Sequence, residues 1–191
     1  VLHGHIEGTE HWAHHLLQVR KLQQRSGGFT EFVPLPFVHM EAPMYLKGNA
    51  RRGPTFREAV LMHAVARLVL HGYIENIQAS WVKMGEEGVA ACLNAGANDL
   101  GGTLMNESIT RAAGSDHGQE WAPRKMEMTI GRLGRLPRMR TTLYRDAPPG
   151  QCMAAFRDTG ISAAVNASAG KRQRTKLIAT VSITAPEVVR A

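Results

Sequence analysis

Asn76-Ile77-Gln78-Ala79-Ser80-Trp81-Val82-Lys83 is the stretch on which the reading of this 191-residue chain turns. Asn76, Gln78 and Ser80 alternate with Ile77, Ala79 and Trp81. That period of two puts two amides and a hydroxyl on one face of a strand expected over 73–82. Strands buried on both faces of a parallel sheet should be almost continuously apolar, and this one is not. Burying an unpaired amide costs about 1–3 kcal/mol, so the polar row needs a network of its own or a ligand. A structural polar layer inside a barrel is the competing explanation. Lys83, expected at the strand's C-terminal end, occupies the position where barrel enzymes carry functional side chains.

Strand and helix signals alternate on either side of this stretch, which favours a parallel α/β architecture. Upstream, Thr9 is placed to cap a helix carrying Trp12, Leu16 and Val19 on one face, stopped by Ser26-Gly27-Gly28. A strand is expected over 29–35. Thr55 and Glu58 form a capping box opening a helix that carries Leu61, Ala64, Val65 and Leu68 inward and ends near Gly72. Downstream, Glu86 and Glu87 suit the first turn of a helix that Gly96 closes. A third strand is expected over 98–104, a short helix between Asn106 and Gly114, and a helix opened by Pro123 carrying Met126, Ile130 and Leu133 to Gly134. A fourth strand is expected over 138–144.

Four such units make half of an eight-stranded β/α barrel, a fold of about 250 residues, with a doubly wound sheet as the other closure. The chain begins with Val rather than Met, and Val1 to Ile6 reads as the end of a strand. The expectation is the C-terminal half of a (β/α)8 TIM-type barrel over 1–145, with a divergent, weakly structured tail over 146–191. With 43% hydrophobic and 20% charged residues, the composition excludes a disordered or collagenous chain. No apolar run approaches the roughly 20 residues of a membrane span, and no signal peptide is visible, so a cytoplasmic address is expected. Cys92 and Cys152, the two cysteines, cannot build a disulfide framework or a four-thiolate zinc site. The net charge of +7 is local: residues 1–123 carry ten Lys/Arg against twelve Asp/Glu, and the excess lies in 124–176. Between Arg124 and Lys176 only Tyr144 and Phe156 could stack on bases, which argues against a nucleic-acid surface.

Several residues could line a polar lumen with Asn76, Gln78 and Ser80. Asp99, Gly101 and Thr103 share a face of the third expected strand, and Gly101-Gly102 would let a ligand approach the backbone closely. Glu31 in the first strand and Arg140, Thr142 and Tyr144 in the last would complete it. An arginine there suits a carboxylate or phosphate. His3-Gly4-His5 offers a different chemistry, the paired histidines of a metal-dependent barrel hydrolase, with Lys83 as bridging ligand and Asp99 as base.

The polar strand, followed by Ala95-Gly96-Ala97-Asn98-Asp99-Leu100-Gly101-Gly102-Thr103-Leu104-Met105-Asn106-Glu107-Ser108-Ile109, closely resembles the radical S-adenosylmethionine enzymes of the FO synthase family. Residues 27–39, the turn at 114–118 and Arg140-Thr141-Thr142-Leu143-Tyr144 match as well, and the resemblance covers 1–145. Related menaquinone-pathway radical enzymes share the architecture, and the segment 29–39 favours FO synthase over them. The resemblance implies 7,8-didemethyl-8-hydroxy-5-deazariboflavin synthesis. In that family a 5′-deoxyadenosyl radical takes a hydrogen from L-tyrosine, whose 4-hydroxybenzyl group joins 5-amino-6-(D-ribitylamino)uracil. It further implies S-adenosyl-L-methionine and a 4Fe-4S cluster as cofactors, and a second radical half or subunit as partner. Asn76, Gln78, Ser80 and Asp99 would orient these ligands, Arg140 would contact a carboxylate, and His3 and His5 would face the cofactor.

The chain departs from the family in one respect: it has no C-x-x-x-C-x-x-C loop to hold the cluster, and neither Cys92 nor Cys152 substitutes for it. On this reading the cluster ligands lie upstream of Val1 and the isolated chain is inactive. A metal-dependent hydrolase and a non-catalytic fragment are the alternatives.

Overall fold

The computed structural model describes residues 1–104, 107–117 and 120–157. In chain order the elements are β1 (Leu2–His3), α1 (Thr9–Ser26), β2 (Glu31–Phe32), β3 (Leu35–Pro36), α2 (Pro43–Leu46), α3 (Phe56–Leu70), β4 (Asn76–Ile77), α4 (Trp81–Asn94), α5 (Ile109–Ala112), α6 (Pro123–Arg132) and α7 (Pro149–Arg157). β1 pairs in parallel with β3, Leu2 opposite Leu35 and His3 opposite Pro36; β2 pairs in parallel with β4, Glu31 opposite Asn76 and Phe32 opposite Ile77. A parallel bridge from Gln78 to Asp99 extends the arc. The chain is a mixed α/β fold with small parallel sheets, and these strands do not close into a barrel.

Each expected strand is shortened for a local reason. The one over 29–35 becomes β2 and β3, because Pro34 between them and Pro36 have no N–H for a ladder. The strand over 73–82 gives way at Trp81, which begins α4; its indole Nε1 donates to Gly102 O at 3.0 Å. Lys83 therefore lies on a helix, not at a strand end. The strand over 98–104 is reduced to the Asp99 bridge, since Gly101 takes φ +72° and turns the chain. The strand over 138–144 is a hairpin instead: Arg140 bridges Asp146 antiparallel, and Thr141 N–H donates to Arg145 O at 2.9 Å.

The helices fare better. α1 ends at Gly27, whose φ of +61° and N–H to Gln23 O at 2.8 Å make the expected stop, although Gly8 rather than Thr9 is its N-cap. The Thr55/Glu58 capping box is present on α3. Its buried face is rotated from that expected: Ala59, Met62, His63, Ala66 and Leu70 point inward and Val65 packs partly buried against the core, while Leu61 and Leu68 are 50% and 78% exposed. α4 is broken at Gly85, and Glu86 and Glu87 open the segment beyond the break. α6 starts at Pro123 as expected, with Met126, Ile130 and Leu133 against the core. The short helix expected between Asn106 and Gly114 is α5; Asn106 lies outside the described residues, and the Glu107 carboxylate takes the Thr110 N–H at 2.9 Å. Of the expected tail, 149–157 is the helix α7, and the rest lies outside the described residues from 158 on.

Trp12 and Leu16 from α1, the inward face of α3, Val89, Cys92 and Leu93 from α4, and Phe32 and Ile77 from the strands form one core. Since Phe32 and Ile77 face these helices, their neighbours Glu31, Asn76 and Gln78 fall on the opposite face of the strands. Arg135 ties the end of α4 down, donating to Leu93 O at 2.7 Å and Ala97 O at 3.3 Å. No helix among the described residues is long and apolar enough to cross a membrane.

Candidate functional site

Four of the residues read from the sequence converge on the strand face away from the helices. Arg140 reaches Asp99 with two nitrogens, Nε on Oδ2 and Nη2 on Oδ1, the latter at 2.9 Å. The same Nη2 lies 3.6 Å from Glu31 Oε2. Asp99 is 8% exposed, so this forked pairing is what makes its burial tolerable. Hydrogen bonding to Asp99 raises the Arg140 guanidinium above its usual range, despite burial. Gln78 is the fourth member, paired through its backbone with Asp99.

Tyr144 closes the cluster. Its hydroxyl donates to Glu31 Oε2 at 2.6 Å, and the guanidinium carbon of Arg140 stands 4.0 Å from its ring centroid. Burial, then the bond to Glu31, raise its phenol, so it remains a donor at neutral pH. Tyr144 adopts φ +59°, a left-handed conformation uncommon for an aromatic residue, within the turn that carries it back over the strands. Gly101 adopts φ +72°, which favours glycine, and a Cβ there would meet the flexible end of the Gln78 side chain.

The other expected site residues are placed differently. Asn76 uses its amide structurally, donating to Thr30 O at 2.9 Å and accepting from Asn98 at 3.4 Å. The Ser80 carbonyl accepts the Met84 N–H at 2.9 Å at the start of α4. Gly102 lends its carbonyl to Trp81, and Thr103 is exposed. Lys83 Nζ donates to Thr110 Oγ1 at 3.1 Å.

His3 is 1% exposed, edge-on to Trp12 at 5.2 Å, with both ring nitrogens unpartnered. His5 lies 2.9 Å from Glu7. Among the described residues no group of three or more His, Cys, Asp or Glu could hold a metal ion, so the hydrolase alternative lacks a ligand set there. The thiols fit an iron–sulfur cluster no better. Burial pushes Cys92 up to about 12, 3.5 Å from His63 Nδ1, while Cys152 sits on α7 and donates to Ala147 O at 3.6 Å. Three thiolates are needed, and the chain has two cysteines, Cys92 on α4 and Cys152 on α7.

Sequence reasoning missed three organising residues. Arg67 donates to Gly96 O, Glu75 O and Asn98 Oδ1, at 2.7, 2.9 and 2.8 Å, and Asn98 Oδ1 accepts the Ile77 N–H at 2.8 Å, which together hold the strand entering the site. Nothing local in the sequence marks Arg67 or Asn98 for this. Glu7 gathers the N–H groups of Gly4, His5 and Ile6 and the Trp12 indole. A carboxylate just before a helix start is the signal that could have found it.

Comparison with known proteins identifies the family of the chain. The family described as CofH/MqnC C-terminal region matches residues 26–151. FO synthase of Mycobacterium leprae is 53% identical over 144 residues, 75% of this chain and 17% of its own length. FO synthase of Streptomyces coelicolor is 49% identical over 155 residues, 81% of this chain and 18% of its own. The 5-amino-6-(D-ribitylamino)uracil--L-tyrosine 4-hydroxyphenyl transferase of Methanocaldococcus jannaschii is 47% identical over 145 residues, 76% of this chain and 40% of its own. The chain thus spans less than a fifth of the FO synthases it matches and two fifths of the transferase. With the matched region running from the end of α1 into α7 and taking in every residue of the polar cluster, the chain belongs to the CofH/MqnC C-terminal region family.

Proposed function

We propose that this chain is the substrate-orienting portion of a radical S-adenosylmethionine enzyme of FO synthase type, which joins L-tyrosine to 5-amino-6-(D-ribitylamino)uracil. The observation that carries the reading is the convergence of Glu31, Gln78, Asp99 and Arg140 on one strand face, inside the region shared with FO synthases. A diaminopyrimidinedione presents donors and acceptors in one plane, which suits two carboxylates, an amide and a guanidinium held by each other. Glu31 accepts from an exocyclic amine, Arg140 donates to a ring carbonyl, and Gln78 does either. Asp99 keeps Arg140 aimed, and Tyr144, protonated, shields the pair from water.

The thiols of this chain do not fit the 4Fe-4S cluster, so the cluster and the S-adenosylmethionine it cleaves would be held by residues outside this chain. A reducing, cytoplasmic setting suits the free thiols of Cys92 and Cys152. The test is a chimera in which residues 1–145 replace the matching segment of the Mycobacterium leprae enzyme, assayed for tyrosine-dependent deazaflavin fluorescence. The chimera is expected to be active, and Arg140→Met within it to lower kcat/KM at least a hundredfold. A soluble, cluster-loaded but inactive chimera would count against the proposal, as would an Arg140→Met form with undiminished turnover.

A further inference from the structure

α3 carries a second stripe that the core does not use. Arg57, Leu61, Ala64, Leu68 and His71 follow one another at spacings of four, three, four and three residues, the pattern of a two-helix seam. The core takes Ala59, Met62, His63, Ala66 and Leu70 from the same helix, so the stripe faces outward. Leu61 is 50% exposed, Leu68 is 78% exposed, and Ala64 lies half-buried between them. Among the described residues α3 packs on α1, α4 and β4, and none of these hides the two leucines. A helix that is apolar on two faces calls for cover on both.

The two ends of the stripe say what covers it. Arg57 stands in the first turn of α3, where the helix dipole disfavours a cation. It is exposed and forms no ion pair among the described residues. The other end is the helix C-terminus, which attracts cations. There His71 is exposed, and Gly72, at φ +74°, has open space where a side chain would stand. A second α3 laid antiparallel supplies what each end lacks, because Arg57 of one copy then falls beside the last turn of the other. The order large, small, large in Leu61, Ala64 and Leu68 reads the same in both directions, as a twofold contact requires. A small residue at its centre lets two helix axes approach to about 8 Å. A parallel pair would set Arg57 against Arg57. We propose that the outward face of α3 is a twofold, antiparallel interface between two copies of this chain, the leucines of each flanking Ala64 of the other.

The experiment is sedimentation of the full chain carrying Leu2→Lys, which silences pairing at the β1 edge. The mass is expected to rise with concentration and to level off at twice the 20.9 kDa of the chain. Leu68→Lys, at an exposed position, leaves the single chain folded and is expected to weaken the dimer at least tenfold. Arg57→Glu is the sharper variant. A carboxylate suits the first turn of its own helix but would face the carbonyl end of the other copy's. The dimer is expected to weaken at least fivefold, while the dilute chain unfolds no earlier than the parent. Ala64→Cys, combined with Cys152→Ser, is expected to give a disulfide-linked dimer on mild oxidation. A mass of 20.9 kDa at every concentration, a dimer untouched by Leu68→Lys, or an Arg57→Glu dimer as tight as the parent overturns the proposal. A monomeric Ala64→Cys form whose thiol resists an aqueous alkylating reagent overturns it as well, since residues 158–191 or a different protein then cover the stripe.

Discussion

Arg140 carries the strongest single-residue expectation. Replacing it with Gln leaves Asp99 charged and 8% exposed with no cation, and should cost about 3–5 kcal/mol in urea denaturation. Glu31→Gln should cost under about 1 kcal/mol, because that carboxylate is 37% exposed and stands 3.6 Å from Arg140. Comparable losses from the two would mean that Asp99 is not the buried partner. Acid should act through the histidines. Burial, and then the neighbouring His63 imidazole, push His3 down to about 4, and burial lowers His63 too. Both bind protons more readily in the unfolded chain, so their stabilisation is complete above about 6.5 and is lost as pH falls from about 6.5 to 4. The His3 share alone amounts to about 3 kcal/mol. Urea midpoints should drop across that window, and His3→Phe should flatten the drop; a flat parent profile would show that His3 is not held neutral. Glu31, Asp99 and Arg140 were legible in the sequence because polar residues in strand-like runs need a partner. That Arg140 pairs with Asp99, and that Asn76 spends its amide on the backbone, depended on the hairpin over 140–146, whose turn no local pattern announces.

Among the elements, α3 separates what is local from what is not. Its capping box is written in Thr55 and Glu58 and forms, so Thr55→Ala should cost about 1 kcal/mol. The helix is apolar around most of its circumference, so periodicity alone could not choose the face that meets α1 and α4. Leu70→Ala, at a fully buried position, should cost about 2–5 kcal/mol, whereas Leu68→Lys, at 78% exposure, should be nearly neutral. The reverse order in thermal unfolding would restore the face expected from the sequence. α4 shows a different limit. The strand expected over 73–82 is only Asn76–Ile77 with the bridge at Gln78, and Trp81 gains more by burying its ring and bonding Gly102 than by extending it.

At the scale of the whole molecule, no strand among the described residues pairs with the outer side of β1 or extends the parallel arc beyond Asp99. Open edges pair with other chains. Sedimentation should show an apparent mass rising with concentration above 20.9 kDa, and Leu2→Lys, at an exposed position on β1, should reduce it; a concentration-independent monomer would contradict this. The amino-acid sequence by itself determined the helices with strong caps, the absence of a cluster-binding thiol set, the polar row on the strand face and, through long consecutive matches, the family. These depend on neighbouring residues or on composition, which no folding can alter. The tertiary structure decided the length of each strand, the buried face of α3, the placement of Lys83 on α4 and the clasp of Arg140 on Asp99. These are outcomes of competition for burial and for hydrogen-bond partners among residues far apart in the chain, and such a competition is settled only when the chain is packed.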